Sequence, residues 1–254
     1  MPDKKMSDTF STYLQIGFLD FESYCITNPA EELLKKEIFS GHLLDVASGY
    51  APYLVFLNGY ESLTLLDRSP LLLEMAQKKA EELGLKSINC VESLAEKLPF
   101  ESNSFDSILC SFALCDLHDW KEAFLEIERV IKPGGDFVLI DCIGGNNDFL
   151  YDLVQIADVL EEADIGRESA EIWCFLLNYL NCRGRLLKYE EFKISYRFPG
   201  LAEARLAVEG METRMKSNPA VREKIYSYLE CKKDGFEIDA VYLKIKMLKT
   251  CQSE

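Results

Sequence analysis

Leu43-Leu44-Asp45-Val46-Ala47-Ser48-Gly49-Tyr50-Ala51 is the stretch that decides the fold. A short apolar run ends in an acid, small residues follow, and a helical pattern comes next. In an α/β sheet this reads as the first strand, its ligand-binding turn and the first helix N-terminus. Ligands of such sheets sit at the carboxyl ends of the strands, where small residues let the backbone come close.

The rest of the chain reads outward from that turn. Upstream, Thr9–Phe39 is helical and aromatic, with Tyr13, Phe18, Phe21 and Tyr24; Asn28-Pro29 then opens a helix over Glu31–Ile38. Downstream, a short helix is expected around Ala51–Leu57. Leu63–Asp67 is a second apolar run ending in an acid, and Ser69-Pro70 caps a long amphipathic helix that stops at Gly84. Strands are expected at Ser87–Val91, Phe105–Ser111 and Phe137–Ile140, with a helix over Asp119–Ile131 closed by Lys132-Pro133-Gly134-Gly135. After Asp141 the rhythm changes to two helical stretches, Asp148–Glu162 and Glu168–Leu180, the second carrying Trp173, Phe175, Leu176 and Tyr179. This insertion either caps the ligand edge or packs on the flank of the sheet. Lys193–Phe198 reads as a strand, Leu201–Lys216 and the stretch from Asn218-Pro219 as helices, and Phe236–Met247 as a long last strand. The expected class is α/β: a doubly wound, mostly parallel, seven-stranded sheet with its last strand antiparallel and a helical cap insertion.

Composition narrows the function. At 254 residues and 48% apolar, the chain buries a sizeable core and reads as one domain with elaborations. Asp and Glu outnumber Lys and Arg by 43 to 28, and residues 1–150 alone carry 25 acidic against 12 basic side chains. Phosphate neutralisation needs a basic excess, so neither nucleic acid nor an anionic membrane is an expected partner. Nine cysteines without a Cys-x-x-Cys, and two histidines, point to reduced thiols in a cytoplasmic setting and to no zinc site. No apolar run approaches the ~20 residues of a membrane span.

Asp67 follows Asp45 by 22 residues, each at a strand end. An acid about 20 residues beyond a glycine turn is how a βαβ unit presents a carboxylate to a ribose diol, two oxygens matching two hydroxyl donors. The turn lacks G-x-G-x-x-G, which disfavours a pyrophosphate ligand and an NAD-dependent oxidoreductase. A ligand carrying a carboxylate or ammonium near the turn fits better.

Five ordered blocks then resemble the class I S-adenosylmethionine-dependent methyltransferases, in the small-molecule branch that includes quinone-ring C-methyltransferases. They are Leu43–Ala51; Leu65–Ser69; Ala95–Phe100 with Ser104-Phe105-Asp106; Ser111–Asp119; and Arg129–Gly135. The resemblance covers about residues 30–142. It implies a Rossmann-like methyltransferase fold in one domain over 1–254, with 1–40 a helical lid, 41–142 the cofactor-binding core, 146–184 the cap and 185–254 the last strands and helices.

The resemblance also implies roles. Asp45 orients the turn and the methionyl amino group, and the backbone of Ala47, Ser48 and Gly49 lies against the methionyl part and ribose. Asp67 takes the ribose hydroxyls, with Arg68 beside the adenine. Leu94 and Ala95 edge the adenine, the Ala95 N–H facing a ring nitrogen, and Ser111 and Phe112 line the cofactor near its sulfonium. Two departures stand out. The first and third glycines of the usual turn are Ala47 and Ala51, from which a narrower turn is expected because alanine lacks glycine's backbone freedom. Leu94 stands where an acid often receives the adenine amino group, which leaves adenine to backbone contacts, burial or Glu96.

Methyl transfer from a sulfonium needs an aligned nucleophile and, where that nucleophile carries a proton, a base. His118 and Asp116 are the candidate catalytic pair; the plain alternative makes His118 a loop residue before the next helix. Asp116 and Asp141 lack a third ligand, so no metal is expected. The expected activity is S-adenosylmethionine-dependent methylation of a small or medium organic molecule, yielding S-adenosylhomocysteine, by a monomer or homodimer. A non-catalytic S-adenosylmethionine-binding or regulatory protein is the alternative.

Overall fold

A computed structural model describes residues 25–114, 117–141, 171–172, 174–176, 178–179, 184–203 and 236–250. The aromatics Tyr13, Phe18, Phe21, Tyr24 and Trp173, the catalytic candidate Asp116 and the helices expected over 148–162 and from 218 lie outside the described residues. No described helix is long and apolar enough to cross a membrane.

The elements in chain order are β1 (Cys25–Thr27), α1 (Pro29–Lys35), β2 (His42–Val46), a 3-10 turn at Leu54–Phe56, β3 (Ser62–Asp67), α2 (Pro70–Glu82), β4 (Ile88–Glu92), β5 (Phe105–Ser111), α3 (Trp120–Val130), β6 (Ile131–Asp141), β7 (Gly184–Phe198) and β8 (Phe236–Lys249). By hydrogen bonding the eight strands follow the order β1-β7-β8-β6-β5-β2-β3-β4. The β6-β5-β2-β3-β4 run is parallel, and β8 is antiparallel to β6, with Asp136 opposite Leu248 and Asp141 opposite Leu243.

The chain divides into two units. One comprises Met1–Asn28, Gly144–Ala170 and Lys193–Val241; in it β1 runs antiparallel to β7, with Cys25 opposite Tyr196 and Thr27 opposite Ser195. The other comprises Pro29–Ile143, Glu171–Phe192 and Tyr242–Glu254. Its central strands are buried on both faces, Leu43, Leu44 and Val46 of β2 and Ile108, Leu109 and Cys110 of β5 being fully enclosed. That is why these strands read as unbroken apolar runs.

The cap expected at Ser69 forms, and Asp119, expected as the first residue of its helix, caps it instead. The Ser69 hydroxyl accepts from Leu72 N at 3.4 Å with Pro70 in the first turn of α2, and the Asp119 carboxylate accepts from Glu122 N at 3.0 Å at the head of α3. α3 buries Trp120, Phe124, Ile127 and Val130. The described positions between 171 and 179 are helical and pack there: Phe175 lies edge-on to Trp120 at 5.4 Å and to Phe124 at 5.2 Å, and Tyr179 to Phe124 at 4.9 Å.

Four expectations are corrected. The sheet has eight strands rather than seven, because Cys25–Thr27, expected to be helical, is a strand; its Ile26 and Thr27 are β-branched and Asn28-Pro29 ends the run. β7 starts at Gly184 rather than at residue 193; Leu186, Leu187 and Tyr189 are all exposed, so its first half shows no alternating pattern. The helix expected over 51–57 is only the 3-10 turn, since Ala51 has φ +51° and Pro52 follows. β6 begins directly at Ile131 and accommodates Lys132-Pro133-Gly134-Gly135 as an irregularity against β5, with Gly134 at φ +81°.

Candidate active site at the carboxyl edge of the sheet

β2 is the strand from which the sheet grows in both directions, through β3 and β4 on one side and β5 and β6 on the other. The crevice beyond the ends of β2 and β5 is therefore the topological switch point, where α/β sheets bind ligands.

The turn after β2 is left-handed at every second residue: φ is +54° at Ala47, +56° at Gly49 and +51° at Ala51. The expected narrower turn is thus not what forms. Alanine takes the glycine-like path, at a cost of roughly 1–2 kcal/mol per residue. Several bonds hold it. Ser48 N donates to Leu66 O and Ala51 N to Ser48 O, each at 2.9 Å; Gly49 N donates to Asp67 Oδ2 at 2.9 Å. From α2, Lys79 Nζ donates to Ala51 O and Pro52 O, both at 2.8 Å. A Cβ on Gly49 would meet nothing closer than Leu72 Cδ1 at 3.9 Å, so the space beside its backbone is open.

Asp45, 5% exposed, lies one residue before the end of β2, opposite Leu65 and Leu109. Its Oδ1 and the Ser48 hydroxyl are buried without a hydrogen-bond partner among the described residues. Burial, with the neighbouring Asp67 charge, pushes the Asp45 carboxyl up to about 8. Asp67 is also buried. Its Oδ1 accepts from Ser69 N at 2.8 Å while Oδ2 takes Gly49 N. Burial raises its pKa against the pull of those two N–H groups. Each carboxylate oxygen has two lone pairs, so Asp67 keeps acceptor capacity after pinning the turn. The pair can hold a cation beside Asp45 and two hydroxyls beside Asp67.

The next loop is tied in by Ser93 N, which donates to Asp67 O at 3.0 Å. Leu94 is 49% exposed and Ala95 is buried. Glu96 Oε1 accepts from His118 N at 3.0 Å and Asp119 N at 3.2 Å, which engages one oxygen of the carboxylate that the sequence offered for adenine. Arg129 then fixes the following Leu98-Pro99-Phe100 segment, donating to Phe100 O at 2.7 Å and Leu98 O at 3.0 Å.

Across the switch point, Ser111 ends β5 opposite Ile140, and Phe112 turns left-handed at φ +55°. Phe112 N donates to Ile140 O at 2.7 Å and its ring stacks on Tyr53 at 5.5 Å. Asp141, buried at the end of β6, accepts from Leu114 N at 2.7 Å. That bond gives it a structural task. Among the described residues no cluster of metal-binding side chains occurs.

The fold therefore gathers Asp45, Ala47, Ser48, Gly49 and Asp67 at one turn, joins Ala95 to it through Ser93, and sets Ser111 and Phe112 on the neighbouring strand. His118 is exposed and reaches this edge through the Glu96 bond to its backbone; Arg68 is exposed beside Asp67. Sequence reasoning missed Tyr53 and Lys79. The aromatic two residues after the turn was a readable signal for Tyr53; Lys79 carried none, since a lysine on an amphipathic helix reads as solvated.

A parallel sheet of this order, with a left-handed turn of small residues after one strand and a buried acid ending the next, has the Rossmann-like fold that methyltransferases share. Residues 44–139 match the family described as Methyltransferase domain. The chain is 31% identical over 105 residues to the uncharacterized methyltransferase YcgJ of Bacillus subtilis, covering 41% of this chain and 42% of that one. It is 33% identical over 102 residues to a demethylmenaquinone methyltransferase of Bacillus cereus, covering 39% and 43%. The match thus spans about two-fifths of the length of these relatives. The crystal structure of the YcgJ protein superposes with a TM-score of 0.61 at 20% identity, over 87% of this chain and 98% of that one. A putative methyltransferase from Bacillus halodurans gives 0.61 at 18% identity over the same shares.

Proposed function

We propose that this chain is a cytoplasmic S-adenosylmethionine-dependent methyltransferase acting on a small or medium organic molecule. The observation that carries the reading is Asp45: a buried carboxyl oxygen that, like the nearby-in-sequence Ser48 hydroxyl, has no hydrogen-bond partner among the described residues, at the switch point of a sheet whose residues 44–139 match a methyltransferase domain. A buried acid in that state calls for a cation, and an amino-acid ammonium provides a positive charge with three donors. The name of the demethylmenaquinone methyltransferase relative supports a small aromatic acceptor class.

S-adenosylmethionine supplies a methyl group already activated on a positive sulfur. The residues here bind, orient and exclude water. Asp45 holds the ammonium, directly or through water, and the Ala47–Gly49 backbone lies along the methionyl part and ribose. Asp67 receives the ribose hydroxyls with its remaining lone pairs, and Arg68 flanks the base. Leu94 and Ala95 edge the adenine, the Ala95 N–H donating to a ring nitrogen. Ser111 and Phe112 line the reacting end, where alignment of the acceptor lowers the barrier. His118, with Asp116, takes the proton from an acceptor that carries one.

Calorimetric titration of the purified chain with S-adenosylhomocysteine, with NAD as control, tests the reading. Binding of the first alone is expected and justifies a methyl-transfer screen on small phenolic, amine and quinol acceptors. Failure of S-adenosylhomocysteine to bind overturns the cofactor assignment; binding without turnover of any acceptor points to a purely regulatory protein.

A further inference from the structure

We propose that Lys79 is a positioning residue for the turn at 47–52, holding an alanine-built turn in the shape glycines would otherwise supply. The proposal rests on the cofactor reading for its functional consequence, while the clamp itself stands on geometry. Lys79 reaches back from α2, 28 residues along the chain, to bond Ala51 O and Pro52 O at 2.8 Å each. Its ammonium also lies 5.7 Å from the centre of the Tyr50 ring. Both carbonyls border Ala51, whose φ of +51° disfavours any residue with a Cβ. Charge-assisted bonds to carbonyls at that point hold the backbone where its own preference would release it. Leu72, one turn into the same helix, approaches the middle of the turn at Gly49. One helix therefore reaches the turn at its middle and its end.

Lys79 is proposed to act through the turn carbonyls it bonds, so its loss should loosen the turn and weaken binding without altering transfer. The full chain is compared with Lys79→Met, Lys79→Arg, Ala51→Gly and the Lys79→Met/Ala51→Gly pair. Two readouts are used: amide hydrogen exchange of the ligand-free chain, and S-adenosylhomocysteine titration. Lys79→Met is expected to speed exchange at Gly49–Leu54 and to weaken binding, each about tenfold, the worth of a charged bond to backbone. Lys79→Arg should stay within about threefold of the parent, because it keeps the cationic donor. Ala51→Gly should restore much of the loss in the pair, since glycine takes the left-handed angle unaided. With an acceptor in hand, KM for S-adenosylmethionine should rise while kcat at saturation holds. Parent-like exchange and affinity in Lys79→Met overturn the clamp while leaving the cofactor reading intact. So does faster exchange spread over the whole core with Lys79→Arg no better, or a pair as weak as Lys79→Met alone. If the parent binds no S-adenosylhomocysteine yet Lys79→Met speeds exchange at the turn only, the clamp stands and the cofactor reading fails.

Discussion

Two places in the larger unit bury charge, and they treat it oppositely. Toward the starts of β5 and β6, Lys244 of β8 is 1% exposed and bonds Glu37, Glu190 Oε2 at 3.2 Å and Leu33 O at 3.3 Å. Lys246 pairs with Glu37 Oε2 and Asp136 Oδ2, both at 3.0 Å, and Ser107 Oγ donates to Asp136 Oδ1 at 2.9 Å. Burial alone would raise Glu37, yet the bonds from Lys244 and Lys246 outweigh it and hold its carboxyl below the usual range. At the carboxyl edge the balance is reversed: among the described residues Asp45 Oδ1 has no hydrogen-bond partner, and burial with the Asp67 charge pushes the carboxyl up to about 8. The first arrangement is complete within the chain and ties the segment after α1 to β8. The second finds no partner for Asp45 Oδ1 among the described residues. A buried charge is informative about function when its partner is missing, and about architecture when it is not.

The contrast can be broken most forcefully at Lys244. Lys244→Met leaves Glu37 and Glu190 facing each other without their shared cation and should cost about 3–5 kcal/mol in chemical denaturation. A loss under about 1 kcal/mol would mean that the cluster is not a closed ionic set.

Asp45 should show the reverse sign. Its folded-state pKa lies above its unfolded value, so the folded chain binds the extra proton and stability falls as pH rises from about 4 to about 8. Thermal melts of the parent should lose on the order of 1.4 kcal/mol per pH unit relative to Asp45→Asn within that window. Equal slopes would remove Asp45 from the list of incomplete charges. The same linkage makes S-adenosylhomocysteine binding stronger from pH 6 to pH 9 in the parent and flat in Asp45→Asn, since the ammonium favours the ionised acid.

Asp67→Ala sharpens the comparison at the second acid, which serves the turn and the proposed ligand at once. Loss of the acceptor for Gly49 N and Ser69 N, and of the ribose contact, should weaken S-adenosylhomocysteine by about 1.5–3 kcal/mol in calorimetry. Unchanged affinity would sink the ribose assignment.

The smallest effect is expected at Leu94. In the proposed site Leu94 stands where it offers the adenine amino group no acceptor, while Glu96 spends one oxygen on the His118 and Asp119 backbones. Leu94→Asp should strengthen S-adenosylhomocysteine by about 0.5–1.5 kcal/mol, the net worth of one hydrogen bond. It should leave S-inosylhomocysteine, which lacks that amino group, unimproved; equal gains for both would move the adenine elsewhere.

Much of the site was legible because its parts are local. A strand end, a small-residue turn and an acid 22 residues on are set by a single βαβ unit, and Ser69-Pro70 and Asp119 announce helices by bonds reaching three residues. Elements whose partners are distant stayed hidden. β1 exists because Cys25–Thr27 meets Ser195 and Tyr196, and nothing within a three-residue strand signals that pairing. Glu37 finds Lys244 across 207 positions, and each alone reads as a solvated charge.

By itself, then, the sequence determined the parallel core and the place of the acids at its strand ends, because period, caps and spacing act over a few residues. Tertiary structure alone decided that Ala47 and Ala51 would bend like glycines, that Lys79 would bond the carbonyls of Ala51 and Pro52, and that Asp45 Oδ1 would have no partner among the described residues while Glu37 gained two. Those outcomes depend on which side chains burial brings together, and on the low dielectric that makes each pairing, or its absence, count.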